Sequence, residues 1–282
     1  MRGTVAVVTG AGSGIGRALA VALTERGATV AISDVNSVGL AETAEATNAH
    51  AELLDVSDRS AVAAYATTIA THFGVVHQLY NNAGIADGAP SILDDDYGSF
   101  ERVLGVNLWG VIHGTKEFLP HLIASGAGHV VNISSLNGYL AQAGLAAYCT
   151  SKFAVRGFTE TLRSEMLRDG HPVDVTVVHP GGVKTNIALA ALAAARARGE
   201  TVTLEQEART RTYTDTLLRM DPAKAAAIIL DGVRAKKPRV LVGNDARAID
   251  ALVRLVPANY PRLANWWGKK MFATAPARER GQ

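Results

Sequence analysis

Tyr148 and Lys152 lie four residues apart in the run Ala147-Tyr148-Cys149-Thr150-Ser151-Lys152, and Ser135 stands thirteen positions before the tyrosine. On a helix, positions i and i+4 share one face, so the ammonium can lie close to the phenol. A nearby positive charge favours the phenolate and is expected to pull the tyrosine pKa down from about 10. A tyrosine so tuned acts as a general base toward an alcohol or a general acid toward a ketone. Ser135 follows the apolar run His129-Val130-Val131-Asn132-Ile133, and its hydroxyl can hold a substrate oxygen next to the tyrosine. A Tyr-x-x-x-Lys spacing by itself is common by chance, so its meaning depends on the elements around it.

The N-terminus supplies a cofactor half. Thr4 to Val8 is a short β-branched, apolar run that reads as a buried parallel strand. It leads into Thr9-Gly10-Ala11-Gly12-Ser13-Gly14-Ile15-Gly16, and Arg17 to Arg26 then has helical spacing, with Leu19 and Leu23 on one side and Gly27 as a stop. Strand, glycine turn and helix make a phosphate cradle. Glycines let the backbone approach closely, and the helix N-terminus offers free N–H groups and the positive end of its dipole. The spacing is T-G-x-x-x-G-x-G rather than the more general G-x-G-x-x-G. A second strand, Thr29-Val30-Ala31-Ile32-Ser33, ends in Asp34, eighteen positions past Gly16. That is where a carboxylate for the adenosine ribose hydroxyls is expected.

Strand-like and helix-like stretches alternate along 282 residues, 48% of them apolar, which predicts a doubly wound α/β Rossmann fold in one domain spanning residues 1–282. Further strands are expected at Val76–Tyr80, His129–Ile133, Val173–Val178 and Arg239–Val242. Right-handed crossovers then place helices on both faces of the sheet. The net charge of +2 and the lack of a basic block argue against a nucleic-acid partner. Cys149 is the only cysteine, which excludes an internal disulfide and fits a reducing compartment; next to Tyr148 it reads as a buried, inert thiol. The eight histidines are scattered without metal-ligand spacing, so no metal is expected, and His179 before Pro180 reads as a strand-end residue. With no secretory signal ahead of the first strand and no apolar stretch near the ~20 residues of a membrane span, a soluble cytoplasmic protein is expected.

These ordered motifs resemble the short-chain dehydrogenase/reductase family, in its branch of about 250 residues with T-G-x-x-x-G-x-G and Tyr-x-x-x-Lys. The resemblance runs from about Gly3 to Val242. Beyond the glycine loop (Gly10, Gly12, Ser13, Gly14, Ile15, Gly16), Leu54-Asp55-Val56 is similar to the family's adenine-contacting aspartate and its neighbour. Asn81-Asn82-Ala83-Gly84 is similar to its Asn-Asn-Ala-Gly motif, Asn107 to the helix asparagine of its catalytic tetrad, and Pro180-Gly181-Gly182-Val183-Lys184-Thr185 to the segment beside the nicotinamide. The resemblance implies a mainly parallel seven-stranded sheet, catalysis by Asn107, Ser135, Tyr148 and Lys152, and cofactor contacts from Asp34, Asp55, Val56, Asn82, Ala83, Gly84, Pro180, Gly181, Val183 and Thr185. It gives both Tyr148 and Lys152 a second role as cofactor contacts, Lys152 on the nicotinamide ribose, and Asn107 that of holding a water that links Lys152 to solvent. Ser134 is the neighbouring alternative to Ser135; the thirteen-residue offset to Tyr148 favours Ser135 and makes Ser134 a structural hydroxyl.

The resemblance also implies a nicotinamide cofactor, NAD in preference to NADP. Family members that use NADP carry a basic residue before the second glycine or after the second strand; here those positions hold Ser13 and Val35. Arg17, the nearest basic side chain, is expected to point to solvent. The substrate is expected to be a small secondary alcohol or ketone. Two segments bear on it. Asn186 to Met220 matches the family's substrate lid and opens with an apolar helix former, Asn186-Ile187-Ala188-Leu189-Ala190-Ala191-Leu192-Ala193, up to the Asp221-Pro222 helix start. An apolar lid favours a lipophilic substrate, steroid-like, aryl or aliphatic. The tail at about 245–282 holds Ile249, Leu252, Val253 and Val256 at helical spacing, then Tyr260, Leu263, Trp266, Trp267, Met271 and Phe272 among Arg262, Lys269 and Lys270. Such a tail suits contact in a homo-oligomer, tetramer or dimer, or the roof of a pocket; lying on a membrane is the secondary reading. Three function classes stay open: an NAD-dependent alcohol dehydrogenase or ketone reductase, a catalytically silent NAD-binding regulator on the same fold, and a nucleotide-sugar epimerase or dehydratase. The intact set of four residues argues against the second, and the short tail against the third.

Overall fold

The computed structural model describes residues 1–87 and 91–272, with side chains as far as Trp267. Seven strands, β1 (Val5–Thr9), β2 (Thr29–Asp34), β3 (His50–Leu53), β4 (Gln78–Asn81), β5 (Gly128–Ile133), β6 (Val173–Pro180) and β7 (Arg239–Val242), form one sheet in the order β3-β2-β1-β4-β5-β6-β7. Every pairing is parallel. The central strands β1 and β5 are buried along their whole length, which is why they read as unbroken apolar runs rather than alternations. The edge strand β3 alternates between half-buried and exposed residues, and this short polar stretch carried no strand signal in the sequence.

Helices cover both faces. On one, α1 (Gly14–Glu25), α2 (Ser37–Thr47) and α9 (Pro222–Arg234) pack Leu19, Leu23, Leu40, Ile229 and Leu230 against β1, β2 and β7. On the other, α3 (Arg59–Phe73), α5 (Gly110–Ala124) and α6 (Ala146–Asp169) pack Ile69, Phe118, Leu122, Leu162 and Met166 against β4, β5 and β6. Between β4 and α5 lie α4 (Tyr97–Leu104) and a wide helical turn, Gly105–Trp109, with i→i+5 geometry. The expected start of α1 at Arg17 needs correcting: the helix begins at Gly14, inside the glycine loop. Asp221 caps α9 through the Ala223 amide, with Pro222 in the first turn as expected.

The switch from β1 to β4 turns the chain to opposite sides of the sheet and opens a crevice beyond the C-terminal strand ends, where ligands of such sheets bind. A buried polar chain pins the floor of that crevice. Asn81 Nδ2 donates to Thr115 Oγ1 at 3.0 Å and to Asn132 Oδ1 at 2.8 Å, and Asn132 Nδ2 donates to Thr159 Oγ1 at 3.0 Å. The chain thereby locks β4, β5, α5 and α6 in one register. Buried polar groups that lose a partner cost about 1–3 kcal/mol each. Asn132→Ala is therefore expected to lower unfolding stability by about that amount, measured by urea titration. An unchanged midpoint would show that the chain does not hold the elements together.

Candidate active site

The glycine loop is shaped by close approaches that leave no room for side chains. A Cβ on Gly10 (φ +66°) would meet the Ala83 Cα at 2.6 Å, and one on Gly16 would collide with the Gly10 carbonyl. The Asn82 side chain closes the crevice between β1 and β4: its Nδ2 donates to the Thr9 and Gly10 carbonyls at 2.9 and 3.0 Å, while the Asn82 and Ala83 amides both donate to Thr9 Oγ1 at 3.1 Å. Asp34, at the end of β2, accepts from the Gly12 amide at 2.8 Å and the Asn36 amide at 2.9 Å. Helices α2 and α3 have side-chain N-caps, Asn36 and Asp58, but the N-cap Ser13 of α1 makes no such bond. The first-turn amides of α1 are thus available to an anion. A cavity of about 340 Å³ opens beside them, lined by Gly12, Ser13, Gly14, Arg17, Asn36 and Asn186 among others. Loop, uncapped helix and carboxylate fit a dinucleotide: diphosphate on the amides, adenosine ribose on Asp34.

Arg17 departs from expectation. Instead of pointing to solvent, its Nη2 donates to the Gly12 carbonyl at 2.6 Å, the Gly39 carbonyl at 3.1 Å and Glu42 at 2.7 Å, strapping the loop to α2. Asp55 is exposed and accepts from the amide and hydroxyl of Ser57, while Val56 is buried.

The four expected catalytic residues come from three elements. Helix α6 carries Tyr148 and Lys152, the end of β5 leads to Ser135, and the wide turn before α5 presents Asn107. Lys152 is buried, and its Nζ donates to the Ile133 carbonyl at 3.1 Å and sits 5.7 Å from the centre of the Tyr148 ring. Asn107 Oδ1 accepts from the Ile85 amide at 2.8 Å, and its Nδ2 donates to the Ile85 carbonyl and Ser151 Oγ at 2.9 and 3.1 Å. Gly84 lies between them: a Cβ there would stand 3.2 Å from Asn107 Oδ1 and 3.4 Å from Lys152 Nζ. Ser135 is in extended backbone and caps a single 3₁₀ turn, Leu136–Gly138, through the Asn137 amide at 3.1 Å. Its hydroxyl is near enough to Tyr148 to favour the phenolate. Ser134 turns the other way and donates to the Lys152 carbonyl at 2.8 Å, a bond that braces α6 on β5.

The electrostatics reverse one expectation. Tyr148 is pushed up to about 12, not down; burial dominates, and the Ser135 hydroxyl only partly opposes it. Lys152 in turn is pulled down to about 8 by burial. Desolvation disfavours the charged form of each group, and burial is the leading cause of both shifts. Cys149 is buried with its thiol pushed up, as expected of an inert sulfur.

Other residues at the site left no readable signal. Asp245, in the first turn of α10 (Asn244–Leu255), accepts from the Gly182 amide at 2.6 Å and so holds the Pro180–Thr185 segment. Val183 bridges to Met220, and Thr185 lies over the loop, with Cγ2 at 3.2 Å from where a Gly14 Cβ would be. The expected lid, residues 186–220, folds as α7 (Ile187–Ala197) and α8 (Leu204–Leu217). Tyr213 on α8 is near enough to raise the Tyr148 pKa electrostatically. Helix α11 (Tyr260–Phe272) reaches the rim of the site, where the Ala141 amide donates to the Tyr260 hydroxyl at 3.3 Å. The expectations for the Lys269, Lys270, Met271 and Phe272 side chains fall outside the described residues. No described helix is long and apolar enough to cross a membrane.

Known proteins resemble this chain in sequence and in fold. SadH of Mycobacterium tuberculosis, whose name assigns it to the oxidoreductases, is 49% identical over 278 residues, covering 97% of this chain and 98% of its own. Epidermal retinol dehydrogenase 2 of Mus musculus is 38% identical over 192 residues, 66% of this chain and 62% of its own. The crystal structure of a short-chain dehydrogenase/reductase from Burkholderia phymatum in complex with NAD superposes with a TM-score of 0.83 at 31% identity, over 93% of this chain and 95% of that one. Residues 4–195 match the family described as short chain dehydrogenase, so the glycine cradle, the parallel sheet and the tyrosine–lysine helix belong to a chain that is a member of that oxidoreductase family.

Proposed function

We propose that this chain is an NAD-dependent dehydrogenase or reductase that interconverts a lipophilic secondary alcohol and its ketone. The observation that carries the reading is the meeting of Ser135, Tyr148, Lys152 and Asn107 at the strand ends facing the glycine cradle. Bound there, the nicotinamide would supply the hydride acceptor or donor. Ser135 donates to the substrate oxygen and holds it against Tyr148. In reduction the Tyr148 hydroxyl, neutral at physiological pH, gives its proton to the oxygen and becomes the phenolate; in oxidation the phenolate takes the alcohol's proton and becomes the neutral hydroxyl. The Lys152 ammonium, close under the ring, favours the phenolate that each turnover needs. Asn107 keeps one Oδ1 lone pair beyond its bond to Ile85, on the Gly84 side that it shares with Lys152. A binding protein without chemistry would have no use for a lysine buried at such cost.

NAD preference follows from Asp34. Its carboxylate retains lone pairs for two ribose hydroxyls, whereas a 2′-phosphate would meet like charge. Arg17 offers little relief, since Glu42 and two backbone carbonyls already engage it. The apolar start of α7 and the retinol-named relative both support a lipophilic substrate. A panel of secondary alcohols, including steroids and aryl carbinols, followed by NADH absorbance is the direct test; no turnover of any member with either cofactor would overturn the reading.

Tyr148→Phe keeps the ring but removes the proton, and should cut turnover at least about 100-fold while leaving NADH affinity nearly unchanged. Near-parental turnover would eliminate Tyr148 as the acid–base group. Asp34→Ser should narrow an NAD preference of about tenfold or more in kcat/KM, chiefly by improving NADP; equal use of both cofactors by the parent would remove the role given to Asp34. Lys152 yields a stability prediction whose sign can be worked out. Unfolded, it titrates near 10.5; folded, at about 8. Below pH 8 it is charged in both states and the fold bears the full desolvation cost, whereas above 10.5 it is neutral in both and the cost disappears. Lys152→Met should therefore stabilise the cofactor-free protein by about 2–3 kcal/mol at pH 7, with the gain fading toward pH 10.5, while turnover is lost. A less stable variant at pH 7 would show that the buried ammonium is compensated after all.

A further inference from the structure

His179 lies directly beneath Ser135. It is the penultimate residue of β6, has no exposed surface, and its Nδ1 is 2.8 Å from the Ser135 carbonyl. A carbonyl only accepts, so Nδ1 carries the proton and Nε2 keeps its lone pair. Nε2 has no hydrogen-bond partner among the described residues. The ring therefore makes one directed bond, and that bond goes to the residue that presents the expected substrate-orienting hydroxyl. The same carbonyl accepts from the Gly138 amide at 2.9 Å, closing the turn. Gly138 is seated against the histidine: a Cβ there would lie 3.3 Å from Nδ1 and would collide with Ser134 Oγ.

Further groups fix the ring in place. Tyr139, next after the turn, meets the imidazole edge-on with centroids 5.1 Å apart, and its hydroxyl donates to the Ala246 carbonyl of α10 at 2.7 Å. The Arg239 guanidinium lies over the Tyr139 ring at 5.4 Å and pairs with Asp250 through two bonds of 2.8 and 2.6 Å. Burial above all keeps the imidazole neutral; the Ser135 carbonyl opposes this, the Arg239 and Arg156 cations add to it, and Asp250 opposes it slightly.

We propose that His179 is a positioning residue: its Nδ1–H fixes the Ser135 peptide and thereby the direction of the Ser135 hydroxyl toward Tyr148 and the substrate oxygen, with Tyr139 packed against the ring and itself held by Arg239 of β7 and the Ala246 carbonyl of α10. This rests on the role given to Ser135 under the proposed function. It extends the site from the strand end through β6 and β7 to a helix that touches no reacting group. A small error in such placement is costly, since a misplacement of about 1 Å can reduce rate about 100-fold.

The test is a double-mutant cycle with a rescue arm, run on the panel alcohol that turns over fastest. His179→Leu removes the donor while keeping an apolar side chain of moderate size. His179→Asn returns an N–H close to the Nδ1 position. The expected result is a kcat loss of roughly tenfold or more in His179→Leu, with NADH affinity by fluorescence titration within about twofold, and recovery to within about threefold of parent in His179→Asn. On a Ser135→Ala background, His179→Leu should cost less than about twofold, because residues acting as one unit are not additive. Full additivity on that background, or a His179→Asn variant no better than His179→Leu, would overturn the proposal. Ser135→Ala with parental kcat would instead sink the reading of Ser135, so the two failures are distinguishable. Should His179→Leu fail to fold, ¹⁵N NMR of the unsubstituted protein decides: a neutral ring protonated at Nδ1 is expected at pH 7, and an Nε2-protonated ring or an imidazolium would overturn the proposal.

Discussion

The rest of the site depends on one costly arrangement: an ammonium, that of Lys152, held inside the protein with the Ile133 carbonyl as its hydrogen-bond acceptor. A buried charge with so little compensation destabilises the fold, so the surroundings must prevent it from turning outward. Helix α6 does this by its length. Its buried positions Val155, Thr159, Leu162 and Met166 continue the Lys152 face down the sheet for four turns, and Ser134 bonds the Lys152 carbonyl itself. The apolar stem of the lysine is thus fixed at its root by packing that has nothing to do with its charge. The burial that lowers the lysine pKa raises that of the tyrosine, so the pair stays poised as neutral phenol and weakened cation until a ligand changes the balance.

A parallel sheet makes the convergence unavoidable. Because all seven strands run the same way, their C-terminal ends lie along one rim. There β1 ends in the glycine loop, β2 in Asp34, β4 in Asn82 to Gly84, β5 in Ser134 and Ser135, and β6 in His179 and Pro180. Each group reaches the rim through a short connection, and the buried Asn81–Asn132 pair prevents β4 and β5 from slipping, which would turn every side chain to the other face. The wide turn at Gly105–Trp109 is a local departure from α-geometry of the sort that tends to mark functional sites; here it brings the Asn107 amide to the Ile85 backbone.

Sequence made visible the parts that are local. The glycine loop, Asp34, the Tyr148–Lys152 spacing and the Asp221-Pro222 helix start each lie within a few residues of the element that gives them meaning, so side-chain type and spacing suffice. What stayed hidden depends on distance or on dielectric. Asp245 meets Gly182 across 63 positions and His179 meets Ser135 across 44, and nothing near either residue announces its partner. The Tyr148 shift was misread because spacing reveals a neighbouring charge but not the depth of burial, and at this depth burial sets the sign. Arg17 was placed in solvent because a helix-start arginine usually is; its three acceptors come from α2 and the loop, whose approach is a tertiary fact. Strand β3 escaped because an edge strand needs only half a pattern.

The expected lid shows how packing and charge divide their work. No residue of α7 or α8 is buried, so these helices gain little from the core. They are held from the side by ion pairs: Asp87 accepts from Arg102 at 2.9 Å and from Arg198 at 3.2 Å, and Arg198 also binds Glu200. Surface pairs of this kind contribute about 0–1 kcal/mol each, enough to set an orientation and too little to lock it. In this segment, anchored by weak, directional pairs, Ile187 and Leu192 are half-buried and Leu189 is exposed, so apolar surface remains to be covered. Burial of apolar surface yields about 25 cal/mol per Å², so a lipophilic molecule in the crevice would supply the free energy that the helices lack by themselves. A sugar-like substrate would gain less from α7, whose alanines and leucines offer no partners for hydroxyls. On this argument the thin packing of the two helices is itself a basis for the proposed preference for a lipophilic substrate.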